Sequence, residues 1–182
     1  MRAFIAIPLP DEIYRELARQ QAAFRVLSPD ARWTRSEGIH LTLKFLGEIE
    51  DQQIKQVTEA LTALAGFTKF NVQVKGFGFF PDARRPRVFW AGVHAPPDLG
   101  QLAARVEDAM ATVGFAREQR AYNPHLTLAR FNNPRPLPRL REAVMRQADL
   151  SLGQFEVTEF FLYESKLSPR GAEYRKVARF GP

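Results

Sequence analysis

Two histidines in this chain each stand two residues ahead of a threonine, in His40-Leu41-Thr42-Leu43 and again in His125-Leu126-Thr127-Leu128. In a strand, alternate side chains share a face, so each imidazole has a hydroxyl beside it, about 7 Å along the chain, while the leucines face the other way. Two such pairs set across one cleft suit in-line attack on a phosphodiester. An imidazole titrates near pH 6.5, so one ring can take a proton from water while the other gives one to the departing oxygen. The two hydroxyls can donate to the non-bridging oxygens. A strained electrophile such as a 2′,3′-cyclic phosphate needs no metal ion for this. Zinc is the other chemistry that histidines invite, but it takes three or four ligands. The remaining histidine, His94, lies outside the repeated pattern, so neither a metal nor a cofactor is expected.

The two tetrads are 85 residues apart in a chain of 182. The same offset superposes Arg2 on Arg87, Phe4 on Phe89, Ala6 on Ala91, Leu17-Ala18 on Leu102-Ala103, Phe70 on Phe155 and Val72 on Val157. Two halves are read from this, about 1–85 and 86–170, with a C-terminal strand over 171–182 and all of it in a single bilobal domain. Within the first half, Arg2 to Ile7 reads as a buried strand closed by Pro8 and Pro10, and a helix follows with Ile13, Leu17 and Phe24 inward. A short strand carries Trp33, and Ile39 to Leu46 forms the first tetrad strand. A helix from Asp51 and an aromatic strand over Phe67 to Phe80 end this half. The second half repeats the plan: a strand over Arg87 to Val93, a helix after Pro97 and the second tetrad strand over Pro124 to Phe131. After these come a short basic helix around Leu140 to Ala148, a strand from Phe155 to Tyr163, and a last strand from Glu173 to Phe180.

Composition narrows the classes. A chain of this length with 45% apolar residues can bury a full-sized core. Its formal charge of +6 suits anionic partners, although a modest basic excess alone identifies none. With no cysteine, disulfides, thiolate metal sites and a cysteine nucleophile are excluded. The N-terminus lacks the apolar run of a signal peptide, and no stretch reaches the ~18 apolar residues of a membrane span, so a cytoplasmic protein with no membrane partner is expected.

The duplicated His-x-Thr motif resembles the signature of the two-histidine phosphoesterase superfamily. More closely, the chain resembles the RNA 2′,3′-cyclic phosphodiesterases long called 2′-5′ RNA ligases. The resemblance is carried by Arg2 to Pro10, Ile39 to Gly47, Gly76 to Pro81, Pro86 to Val93, Pro124 to Arg130 and the run Phe161-Leu162-Tyr163-Glu164-Ser165. It implies an α+β, two-lobed duplicated fold of antiparallel sheets, with the tetrads lining a central groove and helices outside. It implies metal-independent opening of a 2′,3′-cyclic phosphate on RNA or nucleotides to a 2′-phosphomonoester, with weak 2′-5′ ligation, the reverse of phosphodiester cleavage, beside it. It also makes His40 the proton donor and His125 the acceptor, an order the nearly symmetric tetrads do not themselves give. The chain is expected to act as a monomer.

Supporting residues are less sharply marked. The resemblance gives Arg130 a phosphate-holding role, but strand parity groups it with Leu126 and Leu128 unless a bulge turns it. Lys44 has the phase of His40 and Thr42 and can meet a phosphate, or it is a solvated lysine at the rim. Tyr122 and Trp33 flank the tetrad strands and either stack a base or belong to the core. Phe45 and Phe131 are read as core. Two other readings stand beside the enzyme. One is a two-histidine phosphodiesterase acting on ADP-ribose cyclic phosphate or 2′-5′ oligoadenylate. The other is a non-catalytic RNA-binding module, which would have no need of two imidazoles.

Overall fold

Strand β1 (Arg2–Ile7) ends where Pro8 has no amide to offer a ladder, and Pro10 leads into α1 (Asp11–Arg25). Asp11 and Glu12 sit at the positive end of that helix dipole. Next come β2 (Arg32–Trp33), a 3₁₀ turn (Ser36–Gly38), β3 (Leu41–Glu48) and α2 (Asp51–Thr62). Helix α2 opens on a reciprocal cap, in which the Glu50 amide donates to the Gln53 side chain and the Glu50 carboxylate accepts from the Gln53 amide. The chain continues through β4 (Phe70–Phe80), β5 (Val88–His94), α3 (Pro97–Thr112), β6 (His125–Arg130), α4 (Pro138–Arg146), β7 (Ser151–Val157), β8 (Phe160–Ser168) and β9 (Gly171–Phe180). This computed structural model describes residues 1–182. No helix is long and apolar enough to cross a membrane.

Every strand pairing is antiparallel. One sheet runs β3-β1-β8-β9 and the other β2-β6-β5-β4-β7. Their apolar faces meet the helices in one buried cluster, where Ile5, Ile7, Leu41, Phe89, Ala91, Leu126 and Leu128 join Leu17, Phe24, Val57, Leu61, Val106 and Met110. The opposite face of the first sheet carries a separate cluster of Phe4, Ala6, Phe161 and Tyr163. The architecture is therefore α+β: two antiparallel sheets with helices on one side and a groove on the other.

Register refines the repeat. Ala6 lies opposite Thr42 and Trp90 lies opposite Thr127. Strand β1 thus corresponds to β5 at one residue less than the spacing of the tetrads, and the 85-residue matches of Phe4 with Phe89 and Ala6 with Ala91 fall one position out. Phe70 and Val72 are not repeated by Phe155 and Val157 but paired with them, Phe70 opposite Val157 and Val72 opposite Phe155. The expected strand from Phe155 to Tyr163 is two strands in different sheets. Thr158 and Glu159 separate β7 from β8, whose Phe160 pairs with Phe180. No Gly or Pro marks that break, because it is set by a change of partner strand.

Candidate active site

His40 immediately precedes β3, and His125 is the first residue of β6. These strands belong to different sheets and approach one another. The loop entering β6 is tied to β3, since the Tyr122 hydroxyl donates to the Thr42 carbonyl at 2.9 Å. One tetrad is thereby fastened directly to the strand of the other.

Both tetrad strands bulge at the same place. Against β1, Thr42 pairs with Ala6 and Lys44 with Ile5, leaving Leu43 unpaired. Against β5, Thr127 pairs with Trp90 and Ala129 with Phe89, leaving Leu128 unpaired. An extra residue reverses the alternation beyond it. Leu43 and Lys44 are consequently both buried, as are Leu128 and Ala129. On the first strand the reversal sends Lys44 into the interior, where its ammonium donates to both Glu107 oxygens at 2.8 and 2.9 Å and to the Ala116 carbonyl at 3.0 Å. Lys44 is neither a phosphate ligand nor a solvated rim residue, because the bulge undoes the parity that placed it beside His40. The same reversal turns Phe45, expected in the core, out to 71% exposure on the face of Phe4, with the two rings 6.2 Å apart. On the second strand it turns Arg130 away from Leu126 and Leu128, onto the face of His125 and Thr127, where it is exposed.

A buried amide from α1 supports the second bulge. Gln21, 6% exposed, donates through Nε2 to the Thr34 carbonyl at 2.6 Å and the Leu128 carbonyl at 3.0 Å. No motif points to Gln21, and the one available signal is a polar residue on the inward face of an otherwise apolar helix. Tyr122 is half-buried against the core with its hydroxyl committed to Thr42, and Trp33 packs on Phe89 with its indole N–H given to Ser28. Both rings serve the framework. Phe131 is buried in the core.

The two imidazoles have unequal surroundings. His40 lies among Phe4, Tyr163 and Tyr174, with ring centroids at 5.5, 4.6 and 5.1 Å. Burial there pushes its pKa down to about 4, helped by the charge of Lys176 and opposed by a backbone hydrogen bond at Gly38. His125 is more open, with Phe80 edge-on at 4.9 Å. Its Nδ1 lies 2.8 Å from the Asn123 carbonyl, which can only accept, so Nδ1 carries the hydrogen and Nε2 of the neutral ring holds the lone pair. Phe80 and Tyr163 occupy corresponding places beside the two histidines. Beside Phe80, Trp90 lies across Gly78, where a Cβ would collide with the indole. The groove is thus walled by aromatic rings, with imidazoles, hydroxyls and the Arg130 guanidinium among the groups on its faces. No group of three or more His, Asp or Glu side chains is placed to hold a metal ion.

The sequence pattern of the 2′-5′ RNA ligase superfamily matches residues 9–168. Among curated proteins, the RNA 2′,3′-cyclic phosphodiesterase of Thermotoga maritima is 33% identical over 176 residues, 96% of this chain and 92% of the relative. That of Methanothermobacter thermautotrophicus is 29% identical over 181 residues, covering 99% and 98%. A crystal structure of a Thermus thermophilus protein superposes with a TM-score of 0.83 at 28% identity, covering 100% of this chain and 97% of that one. Escherichia coli LigT complexed with 3′-AMP superposes at 0.79 with 27% identity, covering 99% and 97%.

Proposed function

The chain belongs to the 2′-5′ RNA ligase superfamily, and we propose that it hydrolyses the 2′,3′-cyclic phosphate at the end of RNA or a nucleotide to a 2′-phosphomonoester. What supports this is the contact between two His-x-Thr strands from different sheets, tied by the Tyr122–Thr42 bond, with a bulge that turns Arg130 onto the face of the second pair. Water attacks phosphorus, the P–O3′ bond breaks, and O3′ leaves as a hydroxyl. His125 accepts the proton of the attacking water at Nε2, the nitrogen left free by its bond to Asn123. His40 delivers the proton to O3′. In the free protein the His40 ring is neutral at pH 7, and the negative phosphate raises its proton affinity as it enters. Thr42, Thr127 and Arg130 hold the non-bridging oxygens as charge builds on them. Phe45, exposed on the groove face, offers its ring to the base. No step needs a metal ion, and weak 2′-5′ ligation is the same ring opening with a ribose 5′-hydroxyl in place of water. It forms the P–O5′ bond, breaks P–O3′ and leaves a 2′–5′ phosphodiester with a free 3′-hydroxyl.

The test is hydrolysis of 2′,3′-cyclic AMP in excess EDTA with the product isomers separated. The expected product is 2′-AMP, with kcat lowered ~10²–10⁴-fold in His40→Ala and in His125→Ala, the usual worth of a positioned acid or base. Formation of 3′-AMP, loss of turnover in EDTA, or full activity in either folded variant would overturn this mechanism.

A further inference from the structure

The bulge that presents Arg130 has a neighbour on the sheet edge. Strand β2 is only two residues long, yet it places Arg32 directly opposite Arg130 and Trp33 opposite Ala129. Trp33 and Ala129 face the core. Arg32 and Arg130 must therefore share the other face, on adjacent strands with Cβ atoms roughly 4.5–5.5 Å apart. Both are exposed. Like charges directly opposite one another destabilise a sheet, and here no carboxylate relieves them. Arg35 is paired with Glu37 and Arg135 with Asp30, whereas Arg32 and Arg130, like Arg87 just before the adjoining strand, have no acidic partner. Two unpaired guanidiniums aligned on a groove face form a cradle for more negative charge than one phosphate monoanion carries.

We propose that Arg32 binds the internucleotide phosphodiester on the 5′ side of the reacting phosphate, while Arg130 holds the reacting one. This rests on the phosphodiesterase reading above and deepens it, assigning an RNA end of at least two nucleotides, rather than a cyclic mononucleotide, as the preferred substrate. Position fits the assignment. Arg130 lies on the tetrad strand itself and Arg32 on the strand outside it, at the open edge of the five-stranded sheet, so a phosphate held by Arg32 lies outward from the tetrad strand. Arg32 is a specificity residue and takes no part in proton transfer.

The experiment uses two dinucleotides ending in a 2′,3′-cyclic phosphate, each with a 2′-O-methyl group on the first ribose. One has an ordinary phosphodiester between the nucleotides and the other a neutral methylphosphonate. The wild type is expected to favour the charged substrate roughly tenfold in kcat/KM, the value of one charge-assisted hydrogen bond. Arg32→Gln should erase that preference, and Arg32→Lys, which keeps the charge, should retain part of it. The slope of log(kcat/KM) against log salt for the charged substrate should flatten by about 0.7 in Arg32→Gln, the share of one phosphate contact on a single strand. If the wild type does not discriminate, or if Arg32→Gln lowers both substrates equally, the assignment is overturned. A wild type inactive on both would overturn the phosphodiesterase reading, and this assignment with it.

Discussion

At the scale of single residues, the protein makes two chemically identical imidazoles different. His40 owes its low proton affinity to the rings of Phe4, Tyr163 and Tyr174, while His125 has one edge-on ring and a carbonyl that fixes its tautomer. This difference shows in stability. Folding depresses the His40 pKa from 6.5 to about 4, so between those values the unfolded chain binds a proton that the folded chain refuses. The stabilisation is complete above about pH 6.5 and is lost as pH falls toward 4, on the order of 3 kcal/mol in all. Denaturant titrations of wild type and His40→Gln at pH 7, 5.5 and 4.5 check this. The wild type should lose more stability than the variant at each acid step, and parallel losses would refute the assignment to His40. That each His stands two residues ahead of a Thr at the start of a strand was legible from the sequence pattern alone. The inequality of the histidines was not, because it arises from β1, β8 and β9, strands distant in sequence.

At the scale of elements, the bulges decide which side chains reach the groove. Strict alternation favoured Lys44 and disfavoured Arg130, and one extra residue in each strand reverses both. Neither Leu43-Lys44 nor Leu128-Ala129 carries a local mark of a bulge. The bulge is met by groups from elsewhere, among them the Gln21 amide on Leu128 and the Tyr122 hydroxyl on Thr42. Gln21→Leu should lower kcat/KM about tenfold and stability by ~1–3 kcal/mol, the loss of a buried hydrogen bond. If Gln21 acts by positioning Arg130, its effect on kcat/KM should vanish in an Arg130→Ala background while its effect on stability remains, and full additivity in kcat/KM would argue that it acts elsewhere. Lys44 belongs to the fabric of this element. Glu107→Gln should destabilise by ~3 kcal/mol by leaving a buried ammonium without its countercharge, with KM for the cyclic phosphate little changed. A KM effect larger than the stability effect would return Lys44 to the substrate.

At the scale of the whole molecule, most helices and strands and the paired tetrads were readable because they rest on local alternation and helical spacing, while the α+β architecture of antiparallel sheets came from the family resemblance. What the sequence concealed was long-range. The split between β7 and β8 depends on which strands they join, and the one-residue slip between β1 and β5 shows only in their hydrogen-bond register. Two near-equivalent walls around a groove raise a problem of direction. A cyclic phosphate offers two oxygens in almost mirror-related positions, and a truly symmetric groove would accept it in either sense and release a mixture of isomers. The corresponding bulges break the tie, because one delivers the ring of Phe45 and the other the guanidinium of Arg130. Under the proposed function, base and phosphate then have one place each, and the nucleotide lies in the groove one way round. On this view the choice between a 2′ and a 3′ product is made before any proton moves, by divergence at a single duplicated position rather than by the histidines that carry out the reaction.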